Sequence, residues 1–359
     1  MIMRRHVSQA TFAAMLGVIL ILLTVQMLFV FLGQLGDLNA HYRIGSALYF
    51  VFLQIPENLY AILPIGALIG AVVGLGSLAT NSELIVMRAA GVSVWRIVAW
   101  VLRPALIFGL LAVALSQWLI PPANLASTAV RNGVKQDTAV RGYWHKEGQE
   151  FSFISYANDS GELGPTKAFQ FDDHQVMVNS WESPSGSYQG SASQGNASQS
   201  AWILQTVTSA QILPSGQSKP VHTVNQVWNV NLKPKLLAAA TTEPDELSPS
   251  QLFKYVRSVS LDNAGTTNDY KLAFWQKVLA PLGLLSLVVL ACSFVFGSLR
   301  NRSMGYRVVI ALMVGLGFRY LQDFVGYVSL VAGGVIFLYV LLPIVGAFLL
   351  GAYSLRRAR

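Results

Sequence analysis

The stretch ATFAAMLGVILILLTVQMLFVFL, residues 10–32, runs for 23 residues without a charged side chain. A helix rises about 1.5 Å per residue, so about 20 apolar residues cross a hydrocarbon core of about 30 Å. The run follows Arg4 and Arg5 as a secretory signal would. Its apolar part is longer than the roughly 7–15 residues of a signal's hydrophobic region, so it reads as a retained membrane span. Five further stretches qualify: residues 48–79, 97–120, 272–296, 308–324 with their flanks, and 330–353. With 53% hydrophobic and 12% charged residues in 359, and a mean hydropathy of +0.49, the chain is excluded from the soluble globular class.

The net charge of +8 suggests a nucleic-acid surface until it is divided by region. Residues 121–271 carry 11 Lys/Arg against 13 Asp/Glu, and the remainder 14 against 4. The surplus therefore sits on short segments between apolar runs, which is the pattern of membrane topology and gives no nucleic-acid partner. In a six-span arrangement Arg4, Arg5, Arg88, Arg96, Arg103, Arg300, Arg302, Arg307, Arg356, Arg357 and Arg359 all fall on one side. The positive-inside rule makes that side the cytoplasm, with both termini inside and the long segment after Ile120 outside.

Most chemistry is excluded by missing residues. The five histidines form no HxxxH or HxH pair, the single Cys292 lies in an apolar run, and no GxxxxGK[ST] loop occurs. No metal site, catalytic group or cofactor is expected in this chain, and any ATP it uses must be hydrolysed by another subunit.

The spacing predicts residues 1–120 as three spans, 121–246 as an outer β domain, 247–271 as a helix and connector, and 272–359 as three more spans. The outer segment is rich in Ser, Gln, Asn, Thr and Gly, with alternating runs such as Phe151 and Phe153 or Trp228, Val230 and Leu232. A hairpin turn is expected at Glu147-Gly148 and an open loop from Pro184 to Ser200. Lacking cysteine, the domain must rest on its apolar strand faces, which favours a two-layer sandwich or jelly roll. Ser248 and Pro249 open a helix that presents Leu252, Tyr255, Val256 and Val259. The stretch 45–79 is too long for one perpendicular crossing, and Pro56 and Pro64 supply breaks. Gly66, Gly70 and Gly74, at every fourth residue, predict close helix packing.

Two constellations are candidate functional sites. Residues 80–91, TNSELIVMRAAG, have capping-box spacing at Thr80 and Glu83 and a terminating Gly91, predicting a helix of about three turns beneath the membrane. Leu84, Ile85 and Met87, flanked by Glu83 and Arg88, suit docking into a partner's groove, or equally an interfacial helix resting on lipid. In the fifth span, Arg319 and Asp323 stand in the outer half of the hydrocarbon. They read either as a mutually neutralising pair or as a phosphate site facing a cavity. Glu57, at the outer boundary, and Arg43, Lys271 and Lys277 add charges near the outer interface, where contact with ordinary phospholipid is the alternative role.

Four stretches, NSELIVMRAAG (81–91), GYWHKEGQEFSFI (142–154), PDELSPSQLFKYV (244–256) and FWQKVLAPL through FVFGSLRNRSMGYRVV (274–309), resemble the LptF/LptG permease family of the lipopolysaccharide export ABC transporter, nearer its LptG branch. The resemblance implies a polytopic α-helical protein of six transmembrane helices, with a periplasmic antiparallel β-jelly roll between helices three and four. It also implies residence in a Gram-negative inner membrane, in a complex of LptF, LptG and an LptB dimer that holds ATP and magnesium. LptC would be attached, and LptA would carry the lipid onward. Residues 81–91 would be the coupling helix, with Glu83 at the acidic position of its contact with LptB. The family's lysine cluster near the outer part of the first span is absent from FLGQLGDLNAHYR (31–43), so Arg43 or Arg319 would have to meet the substrate in its place.

Overall fold

The computed structural model describes residues 2–38, 42–132, 142–158, 160–189, 201–212, 218–230, 234–259, 267–297 and 303–357. The chain separates into two compact units: Met1–Gln136, Ser248–Phe253 and Asn263–Arg359 form one, Asp137–Leu247 and Lys254–Asp262 the other. Arg300, Arg302, Arg359, Leu232 and most of the polar turn after Asp262 lie outside the described residues.

In chain order the helices are α1 (Ile2–Leu35), α2 (Ile44–Leu53), α3 (Ile55–Thr80), α4 (Glu83–Ala89), α5 (Val94–Ala114), α6 (Ile120–Asn132), α7 (Pro234–Thr241), α8 (Pro249–Val259), α9 (Thr267–Phe296), α10 (Met304–Ala332) and α11 (Ile336–Arg357). Among the described residues six rods are long and apolar enough to cross a membrane: α1, α3, the continuous Val94–Ser127, α9, α10 and α11. Within this unit α3 and α9 are the most buried spans, and α1 and α10 the least.

The long second stretch is divided at Gln54, whose N–H turns back to the carbonyls of Phe50 and Val51 at 3.1 and 3.2 Å. Pro56 then stands in the first turn of α3, where a missing N–H costs nothing. Pro64 lies inside α3 without ending it, so only one of the two expected breaks occurs. The third span also departs from expectation. It does not stop at Ile120 but continues to Asn132 through a π-helical turn, Leu115–Leu119. Pro121 and Pro122 cannot donate to the carbonyls of Gln117 and Trp118, and the wider turn just before them accommodates that mismatch without breaking the rod.

The glycine stripe of α3 lies against α1. A Cβ on Gly66 would come within 2.5 Å of Ile19, on Gly70 within 2.3 Å of the Met15 backbone, and on Gly74 within 2.9 Å of the Thr11 backbone. In lipid, helices gain little from the hydrophobic effect on meeting, so such close approach supplies the van der Waals contact that holds them. Near its start α1 also meets α5. Ser8 donates from Oγ to the carbonyl of Trp100 at 2.8 Å, and the Phe12 and Phe108 rings stack 5.4 Å apart.

The second unit is an eight-stranded antiparallel sheet inserted between the third and fourth spans: β1 (Tyr143–Glu147), β2 (Glu150–Ile154), β3 (Glu162–Leu163), β4 (Thr166–Phe171), β5 (Met177–Ser183), β6 (Gly186–Gln189), β7 (Ala201–Ile212) and β8 (Ser218–Asn229). The strand order is β1-β2-β4-β5-β7-β6-β3, with β8 on the other edge of β7. This arrangement is consistent with the expected jelly roll. The first hairpin closes over Gly148 and Gln149, with Gly148 at φ 61°, a conformation open to glycine without a side-chain clash. Part of the expected 184–200 loop is instead β6, and residues 190–200 lie outside the described residues. Ile154, Leu163, Ala168, Trp202, Leu204 and Val207 fill the sheet interior. There the Trp181 and Trp228 rings meet edge to face at 5.5 Å, and Trp228 Nε1 donates to Glu150 at 3.0 Å.

Candidate functional site

The short helix α4 is two turns long, not three, and the expected capping box is not formed. Thr80 remains the last residue of α3, its hydroxyl donating to the carbonyl of Gly76 at 2.9 Å. The cap position falls to Ser82, held at φ 61° with no side-chain capping bond. A left-handed backbone on a non-glycine residue costs roughly 1 kcal/mol or more, so the chain between α3 and α4 is bent against its preference. The other end obeys expectation. Gly91 adopts φ 85°, and the N–H groups of Gly91 and Val92 return to the carbonyls of Arg88 (3.0 Å) and Met87 (3.1 Å), the two bonds of a Schellman stop. Glu83 in the first turn and Arg88 in the last complement the helix dipole.

The faces of α4 are divided differently from the sequence expectation. Leu84 and Met87 are 4% and 6% exposed and belong to the core of the helical unit, so they anchor the helix and are not displayed. The free face is made by Ile85, Val86 and Arg88, of which Val86 carried no expectation. Spacing explains the split. Residues 84 and 87 are three apart and share one side of a helix, whereas 85 and 86 point away from it. Glu83 has a partner that no local pattern reveals: Nε2 of His6, near the start of α1, lies 2.7 Å from its Oε2. The two residues are 77 positions apart, and only the folding of α1 alongside α3 joins them.

The six outer candidates do not form one cluster. Among the described residues no hydrogen bond or ion pair links any two of them. The pairing of Arg319 with Asp323 is not made. Instead Arg319 donates from a guanidinium nitrogen to the carbonyl of Ala61 on α3 at 3.4 Å. That carbonyl neighbours Tyr60, whose own carbonyl Pro64 deprives of its helical donor. Arg319 and Asp323 are both exposed, as are Tyr320, Phe324 and Tyr327 on the same helix. Lys277 is only 6% exposed, inside the helical unit, so it does not stand on an open rim. Arg43 is exposed at the position preceding α2, while Glu57 in the first turn of α3 and Lys271 near the start of α9 are half-buried.

The family model for the lipopolysaccharide export system permease LptF/LptG matches residues 5–357. The lipopolysaccharide export system permease protein LptG of Escherichia coli (strain K12) is 28% identical over 363 aligned positions, covering 99% of this chain and 98% of the relative. The protein of the same name from Haemophilus influenzae is 27% identical over 334, covering 92% and 91%. A match that begins in the first turn of α1, crosses all six spans and the inserted sheet, and ends in the last turn of α11 places this chain in the LptF/LptG permease family.

Proposed function

We propose that the chain is an LptG-type permease that works with an LptF subunit to lift lipopolysaccharide out of the inner membrane and pass it to periplasmic jelly rolls, driven by ATP hydrolysed in a separate cytoplasmic LptB dimer. The single observation that carries this reading is the family match along the whole chain. The physical task is severe. At about 0.8 kcal/mol per buried CH₂, withdrawing a multi-acyl lipid opposes tens of kcal/mol, so spontaneous extraction is negligible. The basic end of the bundle faces the cytoplasm by the positive-inside rule. There the free face of α4, Ile85 and Val86 beside Arg88, enters the groove of LptB while Leu84 and Met87 transmit its movement to the spans. The weakly buried α1 and α10 face the second permease, and acyl chains shelter between the two. Arg319, on the exposed face of α10, meets a substrate phosphate. LptC and LptA act downstream of the sheet domain.

The test is reconstitution of the complex in vesicles with lipopolysaccharide. Ile85→Asp combined with Val86→Asp should abolish ATP-driven release while the purified spans and outer domain stay folded. Release by this chain without an ATPase subunit, or undiminished release by the double variant, would overturn the proposal.

A further inference from the structure

At the basic end of the helical unit, α1 and α5 enclose a cleft of about 790 Å³ that the proposed export cycle does not use. Arg4 and Arg5 from α1 and Arg103 from α5 line it, and the rest of its wall is Ile2, Phe12, Pro104, Ile107 and two uncharged polar residues. Among the described residues no carboxylate lines it. Among the described residues none of the three arginines has an ion-pair partner in the protein.

The cleft is a consequence of Pro104. A proline inside a helix cannot donate to the carbonyl four residues earlier, here that of Trp100. Ser8 on α1 supplies the missing hydrogen at 2.8 Å. That bond, with the Phe12–Phe108 stack a turn or more further along, sets α1 and α5 side by side with both helices starting from the same end. Arg103 lies nine residues past the start of α5, about 14 Å along the rod, and one turn beyond the Ser8 level. Arg4 and Arg5 lie about one turn before that level. Three cations thus approach one space from two helices and from both sides of a fixed hydrogen bond. Arg4, Arg5 and Arg103 are exposed, and beside a largely apolar wall their guanidinium groups complement an amphiphile that carries an anion and an apolar chain together.

We infer that this cleft holds an anionic glycerophospholipid of the leaflet next to the basic end, its phosphate between the three arginines and the first part of an acyl chain against Phe12, Pro104 and Ile107. Charge complementarity selects the headgroup: three cations and no anion disfavour a zwitterionic lipid relative to phosphatidylglycerol. The apolar half of the wall selects a lipid over free phosphate, because a soluble anion would leave Phe12 and Ile107 uncovered. The inference stands apart from the export reading, since it concerns a bound membrane component and not cargo.

The test titrates the purified complex, with all its subunits, with phosphatidylglycerol or phosphatidylcholine in neutral detergent and counts retained lipid by native mass spectrometry. The wild type should retain phosphatidylglycerol at least about tenfold more tightly than phosphatidylcholine. Arg4→Gln with Arg5→Gln and Arg103→Gln should erase that preference. Arg96→Gln with Arg356→Gln and Arg357→Gln, which removes the same charge elsewhere at the same end, should keep it. Ile107→Trp, which fills the cleft and leaves every arginine in place, should weaken retention as well, and an unchanged melting midpoint for each variant shows that folding is intact. Equal loss in both arginine triples would reduce the effect to general surface charge and overturn the site. Full retention by the first triple would overturn it too, as would displacement of the lipid by glycerol 3-phosphate at matching concentration, which would make the ligand a soluble phosphate.

Discussion

Nε2 of His6 lies 2.7 Å from Oε2 of Glu83, so the first residue of α4 is tied to the beginning of the first span. The pair is 54% and 34% exposed, and pairs so open to solvent contribute less than about 1 kcal/mol to stability. Its value is geometric: it fixes α4 relative to α1, while Leu84 and Met87 fix it relative to the core.

His6→Ala should therefore leave the melting midpoint nearly unchanged yet lower ATP-driven release severalfold. Glu83→Gln should do the same, and the two changes should be far from additive in a double-mutant cycle. Additive losses would mean that the two residues act separately.

Gly70→Leu should destabilise the helical unit by about 1–3 kcal/mol or prevent assembly, because the new side chain meets the Met15 backbone at a place where neither helix can yield. Gly17→Ala is the matched control. A Cβ there finds open space, and the melting midpoint in detergent should hold or rise.

Arg319→Ala should reduce lipopolysaccharide-stimulated ATPase about tenfold if the guanidinium carries a charge-assisted bond to phosphate. Asp323→Asn should not reproduce the loss, because no ion pair joins the two. Undiminished stimulation in Arg319→Ala, with assembly intact, would remove the phosphate role.

Glu150→Ala should lower the stability of the sheet domain, followed by tryptophan fluorescence, by about 1–3 kcal/mol. It strands the indole N–H of the nearly buried Trp228 and removes the acceptor of the Ser152 hydroxyl at 3.1 Å. Glu150→Gln keeps an acceptor and should be milder.

The sequence by itself determined the six spans, the inserted antiparallel domain, the stop at Gly91 and the glycine stripe. Each follows from a local property: length of an apolar run, period-two alternation, a backbone angle only glycine takes freely, or a missing side chain every fourth residue. The lengths of α4 and of the third span were less legible. Thr80–Glu83 spacing and the Pro121–Pro122 pair are local signals that the helices overrode, the first by continuing α3 to Thr80, the second by a π turn just before the prolines. Tertiary structure alone decided which side of α4 is free, that Arg319 reaches Ala61 and not Asp323, and that Lys277 is enclosed. It also joined His6 to Glu83 and Ser8 to Trp100. These outcomes depend on which helices stand side by side, and hydrophobic periodicity marks a face as apolar without saying whether lipid or another helix will cover it.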